Sequence, residues 1–226
     1  MSYPRVERIV DSHKNEVILS FYTKNQAIEF NKDLCVGCYV CTRVCPQEAI
    51  VQRNHELIRK KTEDLFPDIP DAEKCSYCGT CAYMCPFSAI TLKKDGDPVA
   101  LEDIEIIKAN VLPKLEYKNV KCKKSGKMAK VYVDGKVTVD WNLCISCMSC
   151  FEVCPTGAFL KEDKVNDLGK KRKVDFNVRA TCIKCGACET ACSVDAIKVK
   201  IDKIYYSGEY KEPYWSDLIK RSEKAM

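Results

Sequence analysis

Four times along this chain, three cysteines fall at intervals of three residues and a fourth follows after four more. The runs are Cys35, Cys38, Cys41 and Cys45; Cys75, Cys78, Cys81 and Cys85; Cys144, Cys147, Cys150 and Cys154; and Cys182, Cys185, Cys188 and Cys192. Pro46, Pro86 and Pro155 close the first three runs, and Ser193 takes that place in the fourth. Gly37, Gly79, Ser146 and Gly186 sit inside the loops, where the backbone must bend tightly. Of the 17 cysteines only Cys122 lies outside the runs, and it has no partner at any ligand spacing. It is expected to be a structural or exposed thiol.

Thiolates at this spacing, closed by proline, hold four-iron, four-sulfide cubes. A cube needs one thiolate on each of its four irons, and three cysteines spaced by two residues wrap a loop around three corners. Zinc also takes four thiolates, but as two separate C-x2-C pairs. A disulfide framework belongs to short chains in oxidising compartments. Four identical runs argue against both. Every set is complete, so no iron is left open to a substrate, and the expected chemistry is electron carriage.

The spacing of the runs sets the organisation. Cys45 and Cys75 are separated by 29 residues, Cys154 and Cys182 by 27, and Cys85 and Cys144 by 58. Two close pairs with a longer gap predict an α+β chain of two modules in tandem. A nested pairing of the first run with the fourth and the second with the third stays open. The expected boundaries are an N-terminal extension over 1–26, a first module over 27–100 and a linker over 101–135. A second module follows over 136–202, with a tail over 203–226. Strand-like runs cover Glu16 to Tyr22 and Ala27 to Phe30. A small residue and then a larger apolar one follow each fourth cysteine (Ala49-Ile50, Ala89-Ile90, Ala158-Phe159, Ala196-Ile197), which predicts a helical turn leading into a strand. Leu101 to Ile107 fits a short helix or a strand. Ala129 to Val133 and Lys136 to Asp140 flank Asp134-Gly135, a strong hairpin signal. Lys171 to Val178 leads into the fourth run in the same manner.

The formal charge of +5 is unevenly spread. Six lysines and no acid lie between Lys118 and Lys130, and Lys170, Lys171, Arg172 and Lys173 form a second cluster. Solvated loop faces are the expectation for both, with an acidic partner surface as the alternative. Aromatics are not interleaved with them, so nucleic acid is not expected as a partner. The opening residues lack the apolar core of a secretory signal, and no apolar run is long enough to cross a membrane. The expected compartment is an oxygen-poor cytoplasm. His13 and His55 fall outside every ligand pattern. No phosphate loop, dinucleotide fingerprint or nucleophile elbow is present, so no catalytic residue is assigned. The tail from Tyr205 to Met226 is rich in aromatics, which suits either packing on its own module or docking to a partner subunit.

On these motifs, over about residues 27–100 and 136–201, the chain resembles the polyferredoxins, in which bacterial-type ferredoxin modules follow one another. The resemblance implies that each fourth cysteine ligates the other cluster of its pair. The sets are then Cys35, Cys38, Cys41 with Cys85; Cys75, Cys78, Cys81 with Cys45; Cys144, Cys147, Cys150 with Cys192; and Cys182, Cys185, Cys188 with Cys154. Four 4Fe–4S clusters follow. Val6-Glu7-Arg8-Ile9-Val10, ahead of a strand and a motif with Gly37, most resembles the polyferredoxin subunit of formylmethanofuran dehydrogenase. Many members of that family carry more motifs than this chain does. The four-cluster subunits of other molybdopterin oxidoreductases or hydrogenases are the alternative family. Either resemblance implies an electron-transfer subunit that serves other subunits and a redox partner protein; a free polyferredoxin is the competing possibility. Tyr39, Tyr77, Ile145 and Ile183 are expected to shield clusters from water, and Ser193 to add a backbone N–H bond near Cys192.

Overall fold

The computed structural model describes residues 3–38, 40–51, 66–123, 125–165, 171–176 and 181–223. Tyr39, His55 and Lys170 lie outside them. Strands β1 (Arg5–Val10), β2 (Lys14–Ser20) and β3 (Asn25–Asn31) form an antiparallel meander. The chain then runs through the first cysteine loop into helix α1 (Val40–Val44), and through the second into α2 (Thr80–Met84). Strand β4 (Ile90–Lys94) follows the second run and pairs with β3, and β5 (Asp97–Pro98) completes a five-stranded sheet. The strand before the first run is thus hydrogen-bonded to the strand after the second. The N-terminal strands are not a separate extension, because they widen this same sheet.

The gap between the pairs holds a 3-10 turn (Leu101–Asp103), helix α3 (Glu105–Lys108), and strands β6 (Lys114–Leu115), β7 (Lys118–Lys121) and β8 (Met128–Val131). Leu101 to Ile107 is therefore helical. β7 and β8 form a hairpin, but it does not turn at Asp134-Gly135. That dipeptide lies inside β9 (Val133–Val139), which runs into the third cysteine loop. Helix α4 (Ser149–Val153) and the paired strands β10 (Phe159–Val165) and β11 (Lys171–Phe176) come next. Helix α5 (Ala187–Thr190) and strand β12 (Ile197–Ile204) close the second half, and β12 pairs antiparallel with β9.

The reason the turn signal fails is packing. A Cβ on Gly135 would stand 2.1 Å from the Lys200 carbonyl oxygen, so glycine is required for close strand approach, not for a turn. The register slips between Ile201 and Lys203, where an extra residue bulges from β12. The alternation of β12 slips with it: Ile197, Val199 and Ile201 are buried, and after the bulge Ile204 is.

The pairings β3–β4 and β9–β12 join the first run to the second and the third to the fourth, in tandem. Each half buries one side of its sheet over its own cysteines. Val17, Ile28, Phe30, Leu92 and Ile104 pack with the thiols of the first half, and Leu112, Val199, Ile201 and Ile204 with those of the second. The tail adds β13 (Tyr206–Ser207), paired with β6, and helix α6 (Tyr214–Glu223). Trp215 and Leu218 of α6 are buried, and the helix lies against both α1 and β12.

Candidate metal centres

Each cysteine loop repeats one backbone conformation. The residue before the second cysteine is left-handed in all four loops: Gly37 (φ 67°), Tyr77 (φ 50°), Ser146 (φ 56°) and Lys184 (φ 52°). The residue after it is left-handed at Gly79 (φ 80°), Met148 (φ 70°) and Gly186 (φ 84°), and these positions start α2, α4 and α5. Two left-handed residues around one cysteine turn successive N–H groups toward the same side, which is how a backbone cradles an anion. The glycines were legible in sequence; Tyr77, Met148 and Lys184 were not, because those side chains ordinarily avoid this region.

A second repeat follows each fourth cysteine. Glu48, Ser88, Gly157 and Asp195 are left-handed, and the alanine after each donates its N–H to the fourth sulfur. The distances are 3.3 Å for Ala49 to Cys45, 3.3 Å for Ala89 to Cys85, 3.2 Å for Ala158 to Cys154 and 3.2 Å for Ala196 to Cys192. The recurring alanine is thus a donor position that must stay small under the sheet. Ser193 is exposed, and among the described residues its N–H makes no bond to the Cys192 sulfur. Its loop keeps the same alanine N–H bond to the fourth sulfur as the three loops closed by proline.

The thiols meet across the runs. Cys35 and Cys38 both feel Cys85, Cys75 feels Cys45, Cys150 feels Cys192, and Cys182 feels Cys154. Burial pushes the Cys35 and Cys75 thiols up to about 11 and Cys38 and Cys150 up to about 12, and neighbouring cysteines push the same way. Such groups become thiolates only against the positive charge of a metal centre. Backbone N–H groups of Gly37, Tyr77, Phe151 and Lys184 oppose the rise at Cys35, Cys75, Cys150 and Cys182. Donors already aimed at sulfur fit a sulfur-rich anionic group.

Hydroxyls reach two further sulfurs. Thr80 Oγ1 lies 3.3 Å from Cys78 Sγ, and Tyr214 OH, from α6, is 2.6 Å from Thr80 Oγ1. Ser149 Oγ is 3.4 Å from Cys147 Sγ. Arg221 Nη1 donates to the Cys45 carbonyl at 3.1 Å. The aromatic tail therefore reaches the first half of its own chain, a choice that composition left open.

The other expected positions divide. Tyr77 and Ile183 are buried beside their loops, as a shield should be. Ile145 is 59% exposed and Cys147 is exposed, so the third loop is open where shielding was expected. Cys122 is buried among apolar side chains of the first half. His13 is at the surface, its Nδ1 3.0 Å from an Asp33 carboxylate oxygen. The lysine-rich hairpin is not merely solvated. Lys123 N donates to the Pro155 carbonyl at 2.6 Å and Lys130 N to the Pro86 carbonyl at 2.8 Å, so β7–β8 spans both halves.

A family model described as a 4Fe-4S dicluster domain matches residues 34–89 and again 143–196. The chain carries two 4Fe–4S dicluster domains. Two dicluster domains give it four 4Fe–4S clusters. A second model of the same description matches 74–159, across the middle two runs, but the strands pair within each half and not across them. Among curated proteins the chain is similar to a subunit of the Na(+)-translocating ferredoxin:NAD(+) oxidoreductase complex of Acetobacterium woodii. The two are 28% identical over 132 residues, 54% of this chain and 35% of that protein. It is 36% identical over 62 residues to an uncharacterized polyferredoxin-like protein of Methanocaldococcus jannaschii, covering 26% of this chain and 36% of that one. It is also 31% identical over 65 residues to pyruvate synthase subunit PorD of Methanothermobacter marburgensis, covering 29% and 63%. The chain spans about a third of the length of the first two. A chain of the formate dehydrogenase – heterodisulfide reductase – formylmethanofuran dehydrogenase complex of Methanospirillum hungatei has the same fold. Its TM-score is 0.80 at 22% identity, over 100% of this chain and 93% of that one.

Proposed function

We propose that this chain is an iron–sulfur electron-transfer subunit of an anaerobic oxidoreductase complex, of the kind that contains formylmethanofuran dehydrogenase. Four sets of thiols hold its clusters: Cys35, Cys38, Cys41 and Cys85; Cys75, Cys78, Cys81 and Cys45; Cys144, Cys147, Cys150 and Cys192; Cys182, Cys185, Cys188 and Cys154. When bound, the clusters supply single-electron carriage. The protein supplies spacing, N–H donors to sulfur, and burial that keeps water from the inner sets. One observation carries this reading: the fourth cysteine of each run faces the loop of its partner run, with an alanine N–H at its back.

The finer assignment draws on the structural likeness, which extends over the whole chain, and on relatives that are subunits of larger oxidoreductases. No helix among the described residues is long and apolar enough to cross a membrane. The surroundings we propose are cytoplasmic, with partner subunits at the outer loops. Anaerobic purification from the native cells tests both levels. About sixteen irons per chain with equal acid-labile sulfide are expected for four cubes, together with co-elution with a large enzyme. A lone small peak would leave a free carrier, and zinc in place of iron would end the proposal.

A further inference from the structure

The two halves meet loop against loop at one place. Arg43, in the last turn of α1, reaches out of the first half until its Nη2 lies 3.5 Å from the Cys185 carbonyl oxygen. The same nitrogen is 3.0 Å from the point where Gly186 would carry a Cβ, and the Cys38 carbonyl is 3.7 Å from that point. Gly186 is left-handed, and a Cβ there would press on the Arg43 guanidinium. Cys185 is half-buried at this contact. Tyr132 is buried against the same seam, faces Cys85, Cys38 and Cys185, and donates its hydroxyl proton to the Met84 carbonyl. A small cavity of about 30 Å³ lies between Val40, Arg43, Met84, Tyr132, Ile183 and Ile204.

Two cations and one acid meet at this seam. Arg43 Nε is buried with no hydrogen-bond partner among the described residues. Lys130 is half-buried beside Cys85 and also lines the cavity. The acid that faces Arg43 is Glu189, whose pKa burial raises and which already accepts the Val199 N–H at 3.1 Å. A buried guanidinium with an unpaired nitrogen is costly unless negative charge stands nearby. That charge is available on both sides of the seam, in the set that includes Cys38 and in the set that includes Cys185.

We infer that Arg43 is the positioning residue of the crossing between the two modules: it fastens the Cys38 loop to the Cys185 loop and raises the reduction potentials of the two thiol sets that meet there. This rests on the electron-relay function proposed above. The order along the molecule is then fixed. The set with Cys78 lies at one end, the sets with Cys38 and Cys185 form the middle, and the set with the exposed Cys147 lies at the other end. The crossing moves one electron from the reduced side to the oxidised side, with no bond made or broken and no proton required.

The test is a redox titration of the full chain with its clusters, followed by electron paramagnetic resonance, for wild type, Arg43→Met, Arg43→Lys and Lys130→Met. Loss of a unit charge at this depth should weaken the reduction equilibrium of a neighbouring centre about tenfold, which is about 59 mV for a one-electron couple. Arg43→Met should lower two of the four potentials and weaken the magnetic interaction between those two centres. Arg43→Lys should restore most of both. Lys130→Met, near Cys85 alone, should lower one potential, and that one must belong to the pair moved by Arg43→Met. A uniform shift of all four, no shift, or a Lys130→Met shift outside the pair would overturn the inference. If Arg43→Met does not assemble, Lys130→Met and Arg43→Lys decide, since an unmoved potential in the former refutes the charge argument. Wild type without iron would instead remove the electron-relay function itself, before Arg43 is in question.

Discussion

Replacing Trp215 with alanine should free the C-terminal helix while leaving both modules folded. Trp215 is 1% exposed, and its ring meets Tyr206 edge-on at 5.0 Å and Tyr210 at 6.4 Å. Leu218, one turn on, is fully buried. A helix of ten residues is marginal by itself, so α6 is held by these contacts and not by propensity. Truncating a buried tryptophan costs about 3–5 kcal/mol. Part of that is returned here, because the indole Nε1 is buried without a partner among the described residues, a burden of about 1 kcal/mol that alanine relieves. About 3 kcal/mol remains, or about a hundredfold on the equilibrium between docked and free helix. Anaerobic tryptic digestion reads this directly at Lys220 and Arg221. Where opening precedes cleavage, the cutting rate follows the open population. The alanine variant should be cut about a hundredfold faster. Trp215→Phe, which keeps the aromatic contacts and removes the unpaired N–H, should stay within about fivefold of wild type. Alanine and wild type cut at equal rates would refute the role of Trp215 as anchor. Simultaneous cleavage within the modules would show that the helix does not open as a separate unit.

Tyr214→Phe removes the hydroxyl that stands 2.6 Å from Thr80 Oγ1, which in turn touches Cys78 Sγ. Only the potential of the centre held by Cys78 should fall, by about 20–40 mV, for a hydrogen bond weakened by less than about 1 kcal/mol; a shift in any other centre on redox titration would contradict this. Gly135→Ala puts a Cβ 2.1 Å from a backbone oxygen of β12, so it should part the β9–β12 pair. Iron content should then drop in the second module while the first module keeps its full complement. Glu16 is buried between Lys14 (2.8 Å) and Lys93 (2.9 Å). Burial raises its pKa, but the two ammonium groups outweigh burial and hold it below the ordinary 4.5. A depressed carboxyl stabilises the fold above its unfolded value and loses that stabilisation as pH falls through the folded value. Glu16→Gln should therefore cost about 1–3 kcal/mol at pH 7 and progressively less below about pH 4. Urea unfolding with an equal difference at pH 7 and pH 3 would be the contrary result.

What the sequence carried, and what it did not, follows from range. Cysteine spacing is local, and a loop around a cube leaves its mark within a dozen residues. The alternation of Ile197, Val199 and Ile201, its slip, and then Ile204 even record the bulge. Asp134-Gly135 misled because a turn and a close strand crossing ask for the same glycine, and the partner that decides between them, Lys200, lies 65 positions on. Strand β1 carried little signal, since it is an edge strand exposed along nearly all its length and has no buried face to impose alternation. Arg43 looked like any helix-terminal arginine. Only the tandem arrangement brings it to Cys185, 142 residues away in the chain.

The basic hairpin and the aromatic tail look, in sequence, like equipment for a partner. In the fold they are used inside the chain. Lys123 and Lys130 fix β7–β8 to the Pro155 and Pro86 carbonyls, one in each half, and Tyr214 and Arg221 tie the tail to the loops of Cys78 and Cys45. Small metal-stapled modules bury too little apolar surface to hold a fixed mutual angle through a flexible linker. Electron carriage between modules demands such an angle, and the added segments provide it from two sides of the seam where Arg43 lies. A partner must therefore use surface that these segments leave free. The loop with exposed Leu143, Ile145 and Cys147 is such a surface, apolar and directly over a thiol set. The fastening itself thus argues for neither a free carrier nor a fixed subunit. The open third loop is where the two would differ, buried against a neighbour in the one case and bare in the other.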